Sequence, residues 1–226
     1  MCGRFKAGFE FRDIKDALAN VLNDLDFYAA HYNIAPTQTH PIIVQRAGTV
    51  EARPMRWGLV PYWAKDQAIG NKMINARSET LAERPAFKDL LSSRRCLVPA
   101  DGFYEWRKEG KTRQPMLIHV KDRELFGFAG LWDTWKKPDG TLLESFTIAT
   151  CAPNDLMRGI HDRMPVIIQP KDETAWLDPA AKSDQIMPLL APYPSELMEA
   201  YPVSTLVNSP ANDSAECSEQ LRDTLF

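Results

Sequence analysis

The region between Arg95 and Cys151 constrains the fold most. It is built of β-prone stretches, "RCLVPADGFYEW", "QPMLIHV", "LFGFAGLW" and "ESFTIAT", separated by the turn-rich "KEGKTR" and "KKPDGT". A parallel pair needs a crossover of about a dozen residues or more, so strands joined by such short turns pair antiparallel. Upstream, "HPIIVQRAGTVEARPMRW" reads as a further hairpin, with the β-branched run Ile42 to Val44, a turn around Gly48 and a return strand weakened by Pro54. Helical signals flank these strands. Phe11, Ile14, Leu18, Val21, Leu22 and Leu25 recur at steps of three and four, the stripe of a core-packing helix. A short helix is expected over Pro85 to Leu91, and another starts at Pro170, where Asp172 and Glu173 suit the N-terminal dipole. "YPVSTLV" reads as a last strand before a polar, loop-like end. The expectation is one α+β domain over residues 1–226, a curved or barrel-like, mainly antiparallel sheet with flanking helices.

Composition narrows the function classes. The 226 residues are 44% hydrophobic and 25% charged, enough for a good core. A formal charge of -3 gives no global basic field, so nucleic-acid binding has to rest on a local cluster. Cys2, Cys96, Cys151 and Cys217 form no CxxC pair, and His31, His40, His119 and His161 form no i, i+4 pair, which argues against zinc, a zincin-like hydrolase and a disulfide framework. A reducing cytoplasm fits this cysteine usage. No stretch resembles a signal peptide or approaches the roughly 18 apolar residues of a membrane span. Neither a glycine-rich phosphate loop nor a G-x-S-x-G elbow is present.

The chemistry-bearing stretches begin with "MCGRF". Loss of Met1 would leave Cys2 with a free α-amine beside a thiol, a 1,2-aminothiol that attacks an aldehyde through nitrogen and then closes a five-membered thiazolidine through sulfur. The plainer reading is an inert second-position cysteine. In "DGFYEW" the strand period places Phe103 and Glu105 on one face and Tyr104 and Trp106 on the other. An inward Glu105 would be desolvated and useful as a proton shuttle, whereas on an exposed edge it would be an ordinary carboxylate. "GIHDRMP" offers His161 in a loop with Asp162 and Arg163, either a titrating group or a solvated side chain. "INARSET" offers Asn75, a donor and acceptor, and Arg77, whose planar fork suits a phosphate, or else a turn leading into a short helix.

Taken together, "MCGRF", "YNIAPTQ", "RWGLVPYWAK", "INARSET", "CLVPADGFYEW", "GIHDRMPVII" and "YPVSTLVNS" resemble the ordered motif set of the SOS-response-associated peptidase family, which includes abasic-site processing proteins. The resemblance runs from Cys2 to about Asn208, with the polar tail after it. It implies a mostly β fold with a positively charged groove, removal of the initiator methionine, no cofactor, and capture of abasic sites in single-stranded DNA as a thiazolidine through Cys2. Residue by residue, it implies Cys2 as nucleophile, Asn75 as the group that positions it, Glu105 as the proton-transfer residue and His161 as a second acid/base. Arg4 and Arg77 would hold flanking phosphates with help from Arg163; Trp106 would lie near the DNA, and Pro36 and Trp63 would form a wedge that kinks the strand. The crosslinking reading leaves room for autopeptidase and lyase activity. Two rivals stay open: a cysteine peptidase or N-terminal-nucleophile amidohydrolase, the idea the family's name reflects, with self-removal of Met1 as its residual form, and a non-covalent single-strand-binding module.

Overall fold

The computed structural model describes residues 2–10, 13, 14, 18, 21 and 28–221. The chain forms β1 (Phe5–Ala7), β2 (His31–Ile34), β3 (Thr39–Arg46), β4 (Thr49–Trp57), β5 (Asn75–Arg77), β6 (Arg95–Ala100), β7 (Gly102–Glu109), β8 (Thr112–Val120), β9 (Phe126–Lys136), β10 (Leu142–Cys151), β11 (Met164–Pro165), β12 (Ile167–Ile168) and β13 (Met198–Pro202). Between them lie the short helices α1 (Lys88–Ser93), α2 (Asp155–Arg158) and α3 (Glu173–Leu177). Strands β10, β4, β3, β6 and β9 follow one another in hydrogen-bonded order, and β9 pairs back onto β10, closing a five-stranded barrel. A second, five-stranded sheet runs β13–β8–β7–β1–β2. The expected α+β, barrel-like architecture is thus the observed one.

Most pairings are antiparallel, as the short turns require. The β3–β4 hairpin turns through Ala47 and Gly48, both at positive φ (48° and 81°), the two-residue turn whose twist matches the strands. Strand β4 continues through Pro54, which stands opposite Pro41 where β4 is paired to β3 alone. Two pairings are parallel, β10 with β4 and β10 with β5, and the connections between those strands are long enough to cross over.

Two expectations change at their boundaries. "RCLVPADGFYEW" is two strands, not one: the chain breaks at Asp101, so β6 joins the barrel and β7 joins the second sheet. The helix expected from Pro85 begins at Lys88, because residues 85–87 form a turn. The helix expected over Phe11 to Leu25 lies largely outside the described residues; Ile14, Leu18 and Val21 of its stripe are buried. The helix start at Pro170 appears as a 3-10 turn, Pro170–Asp172, running into α3.

Aromatic side chains bond the two sheets into one body. Trp57 and Phe146 stack inside the barrel with ring centroids 6.3 Å apart. Phe5 of β1 reaches in to Trp57 at 5.1 Å and Phe128 at 6.0 Å, and Phe103 of β7 meets Phe128 at 6.0 Å. These rings are fully buried, and edge-to-face contacts of this kind add to the area they remove from water. The far face of β7 carries a second cluster of Tyr104, Leu117, Val203, Val207 and Cys217.

Candidate active site at the seam between the two sheets

The N-terminal segment enters the site beside β7. Phe5 pairs with Phe103, and the Tyr104 amide donates to the Arg4 carbonyl at 3.0 Å, which carries Cys2 toward Glu105. From the barrel side comes Asn75 at the start of β5, opposite Ile148, whose Nδ2 donates to the Cys2 carbonyl at 2.8 Å. His161 follows α2, a helix capped by the Asn154 side chain on the Met157 amide at 2.9 Å, and its own amide donates to the Met157 carbonyl at 2.8 Å. His161 Nε2 stands 3.9 Å from Glu105 Oε2. The site therefore draws Cys2 from the segment leading into β1, Glu105 from β7 of the same sheet as β1, and Asn75 and His161 from strands and loops on the barrel side.

The strand period holds as expected: Phe103 is in the main core, Tyr104 and Trp106 face the second cluster, and Glu105 is 3% exposed. Burial raises the Glu105 carboxyl above the usual carboxylate range, and His161 opposes the shift in part. Burial also pushes the fully buried Cys2 thiol up, helped by the Glu105 charge. Burial of this kind disfavours the thiolate.

Around this centre the other expected residues divide by environment. Arg4 Nη1 donates to Asn33 Oδ1 and to the Val207 carbonyl, each at 2.7 Å, and its guanidinium lies 5.9 Å from the Trp106 ring. Trp106 is held by Nε1 on Asn208 Oδ1 at 2.7 Å. Arg77 is exposed at the end of β5. The Arg163 guanidinium, in contrast, is taken up within the protein by Glu79 and Thr150. Pro36 is half-buried beside Thr37, whose φ is 77° and whose amide donates to the Trp57 carbonyl at 2.9 Å. Trp63 is 49% and Tyr62 67% exposed on a loop fixed from beneath. The Val60 amide donates to Ser145 Oγ and the Tyr62 amide to Asp133 Oδ2, both at 2.8 Å, while Trp135 Nε1 donates to the Ala64 carbonyl at 2.6 Å. An exposed aromatic pair on a loop anchored by three strand side chains is presented rigidly.

Glu79, Asn33 and Asn208 were not singled out from the sequence, although each lies inside a quoted motif. Their partners are far away in the chain, so only the folded structure reveals them. Among the described residues no group of three or more His, Cys, Asp and Glu side chains converges as for a metal ion, and no helix is long and apolar enough to cross a membrane.

The family profile described as SOS response associated peptidase (SRAP) matches residues 1–210. The chain belongs to the SRAP family. Among similar SRAP proteins, abasic site processing protein YoqW of Bacillus subtilis (strain 168) is 47% identical over 223 residues, covering 97% of this chain and 99% of its own. Abasic site processing protein HMCES of Xenopus tropicalis is 32% identical over 226 residues, with 86% of this chain and 67% of its own covered. A crystal structure of a Bacteroides thetaiotaomicron protein superimposes with a TM-score of 0.85 at 30% identity, covering 96% of this chain and all of that one.

Proposed function

We propose that this SRAP chain processes abasic sites in single-stranded DNA, capturing them covalently as a thiazolidine through Cys2 once Met1 has been removed. One observation carries the reading above the rest: Asn75 anchors the Cys2 carbonyl beside a buried carboxylate facing an imidazole. An abasic sugar is mostly a closed hemiacetal, so an acid and a base must open it before an amine can attack. Glu105, its carboxyl raised by burial, and His161 supply that pair. The α-amine of Cys2 then adds to the C1′ aldehyde and water leaves, giving a Schiff base. The Cys2 sulfur adds to the imine carbon as its proton passes to nitrogen, and the ring closes. An α-amine has a pKa of about 8 against about 10.4 for lysine, so far more of it is neutral and nucleophilic near pH 7.

Arg4 and Arg77 serve as phosphate contacts that fix register without reading sequence, and Trp106 with the Pro36 and Trp63 surfaces contacts or wedges the bases. The peptidase rival needs a thiolate to attack an amide, and the upward shift of the buried Cys2 thiol works against it. The decisive experiment is a denaturing gel of the protein with single-stranded DNA carrying one abasic site. We expect a denaturant-stable adduct that is absent with intact DNA, with Cys2→Ala and with an uncleavable N-terminal extension, which turns the amine into an amide. A blocked N-terminus that still crosslinks at the normal rate through sulfur would favour the thiol-first rival. Equal retention of intact DNA would sink covalent capture of the aldehyde.

A further inference from the structure

Arg163 follows His161 by two residues, yet its guanidinium points into the protein. Nη1 and Nη2 meet the two carboxylate oxygens of Glu79 at 2.6 and 2.9 Å. Nη2 also donates to the carbonyl of Thr150 at 2.6 Å and to its hydroxyl at 3.3 Å. Glu79 sits in the 3-10 turn Ser78–Thr80 that directly follows β5, the strand carrying Asn75, and Thr150 pairs with Arg77 in the β5–β10 ladder. One bidentate ion pair thus joins the Asn75 segment, β10 and the His161 loop.

The consequence for His161 lies at Nδ1. The Arg163 amide donates to Nδ1 at 3.0 Å, which makes that nitrogen an acceptor and leaves the proton of the neutral ring on Nε2, the atom facing Glu105. The Asp162 carboxylate lies 2.8 Å from the same Nδ1 and can bond it only if Nδ1 carries a proton. The two partners select opposite tautomers.

We propose that Glu79 is a positioning residue for His161, acting through Arg163. This deepens the proposed function and, for its kinetic arm, rests on it. Glu79 is half exposed, and ion pairs so open to water add little to stability, so its contribution is geometric.

The test uses the full chain, Glu79→Ala and Glu79→Gln, with two independent readouts. Nitrogen-15 chemical shifts of the His161 ring, taken without DNA where the imidazole is neutral, should report the Nε2–H tautomer in the parent, a mixture in Glu79→Ala and partial recovery in Glu79→Gln. With abasic single-stranded DNA at saturation, the crosslinking rate constant should fall about tenfold or more in Glu79→Ala. Affinity for the same DNA carrying an unreactive tetrahydrofuran site should hold. An unchanged tautomer in Glu79→Ala, or a rate loss matched by lost affinity for the tetrahydrofuran DNA, would overturn the proposal. If the parent forms no adduct at all, the proposed function fails while the tautomer measurement still decides the role of Glu79.

Discussion

Glu105 occupies an environment that favours its uncharged form, since burial raises its carboxyl while the unfolded chain leaves it at about 4.3. Between those two values the folded protein holds more protons than the unfolded one, so this group's contribution to stability falls as pH rises above about 4.3. Glu105→Gln should therefore melt a few degrees higher than the parent near neutral pH, and the gap should close in acid where both side chains are uncharged; thermal unfolding across pH checks it. The same substitution, like His161→Ala, should slow adduct formation on the order of a hundredfold or more, with noncovalent affinity for tetrahydrofuran DNA nearly unchanged. Both outcomes together would mark Glu105 as a functional group retained against stability. Strand alternation already separated Glu105 from Trp106, but alternation says only that they face opposite ways. Which face meets the main core depends on Phe5, Phe103 and Phe128, and so on residues from three strands.

At the scale of elements, the segment between β4 and β5 sets where Asn75 stands. Gly58 has φ of 111°, and a Cβ there would come within 2.6 Å of the Gly70 carbonyl oxygen, a contact no side chain tolerates. The loop is drawn in by Arg56, which donates to the Gly58 carbonyl at 3.0 Å and to Asn71 Oδ1 at 2.8 Å. Trp57 Nε1 then fixes the Ile74 carbonyl at 2.9 Å, one residue before Asn75. Gly58→Ala should cost about 2–3 kcal/mol through a disfavoured backbone region and the clash. That corresponds to a Tm lower by about 4–12 °C, with a slower crosslinking rate because β5 shifts. An unchanged Tm would show that the loop relaxes freely. The hairpin at Gly48 was legible because its turn is local; the Gly58–Gly70 contact was not, since eleven residues, the last of them already in a 3-10 helix, separate its halves.

Across the whole molecule, the segment after Val203 closes the fold around the N-terminus. Asn33, 1% exposed, accepts from Arg4 and donates from Nδ2 to the carbonyls of Val207, Ser209 and Asn212 at 3.3, 2.9 and 2.6 Å. Asp213 takes the amide of Asn33 at 3.0 Å and His31 Nδ1 at 2.6 Å, covering the outer edge of β2. Residues 209–219 of the polar tail are thus a built part of the structure, and Cys217 among them is fully buried. Asn33→Ala leaves the Val207, Ser209 and Asn212 carbonyls and the Arg4 guanidinium short of a partner, and should cost about 2–4 kcal/mol. Because Arg4 and Trp106 share this network, affinity for single-stranded DNA should fall along with Tm. A loss of stability with full DNA affinity would show that Arg4 keeps its place without the tail.

The sequence by itself determined the antiparallel β character, the barrel-like class and the order of motifs, because turn lengths, strand alternation and short apolar runs act over a few residues. It also determined the SRAP membership and the identities of Cys2, Asn75, Glu105 and His161 as the residues to watch. Only the tertiary structure decided that β6 and β7 part company at Asp101, that the four residues meet at a seam between sheets, and that Arg163 is held by Glu79. The physical reason is that burial, desolvation and long-range ion pairs belong to surfaces brought together by folding. The local pattern that names a residue carries no information on which distant carbonyl, ring or carboxylate it will face.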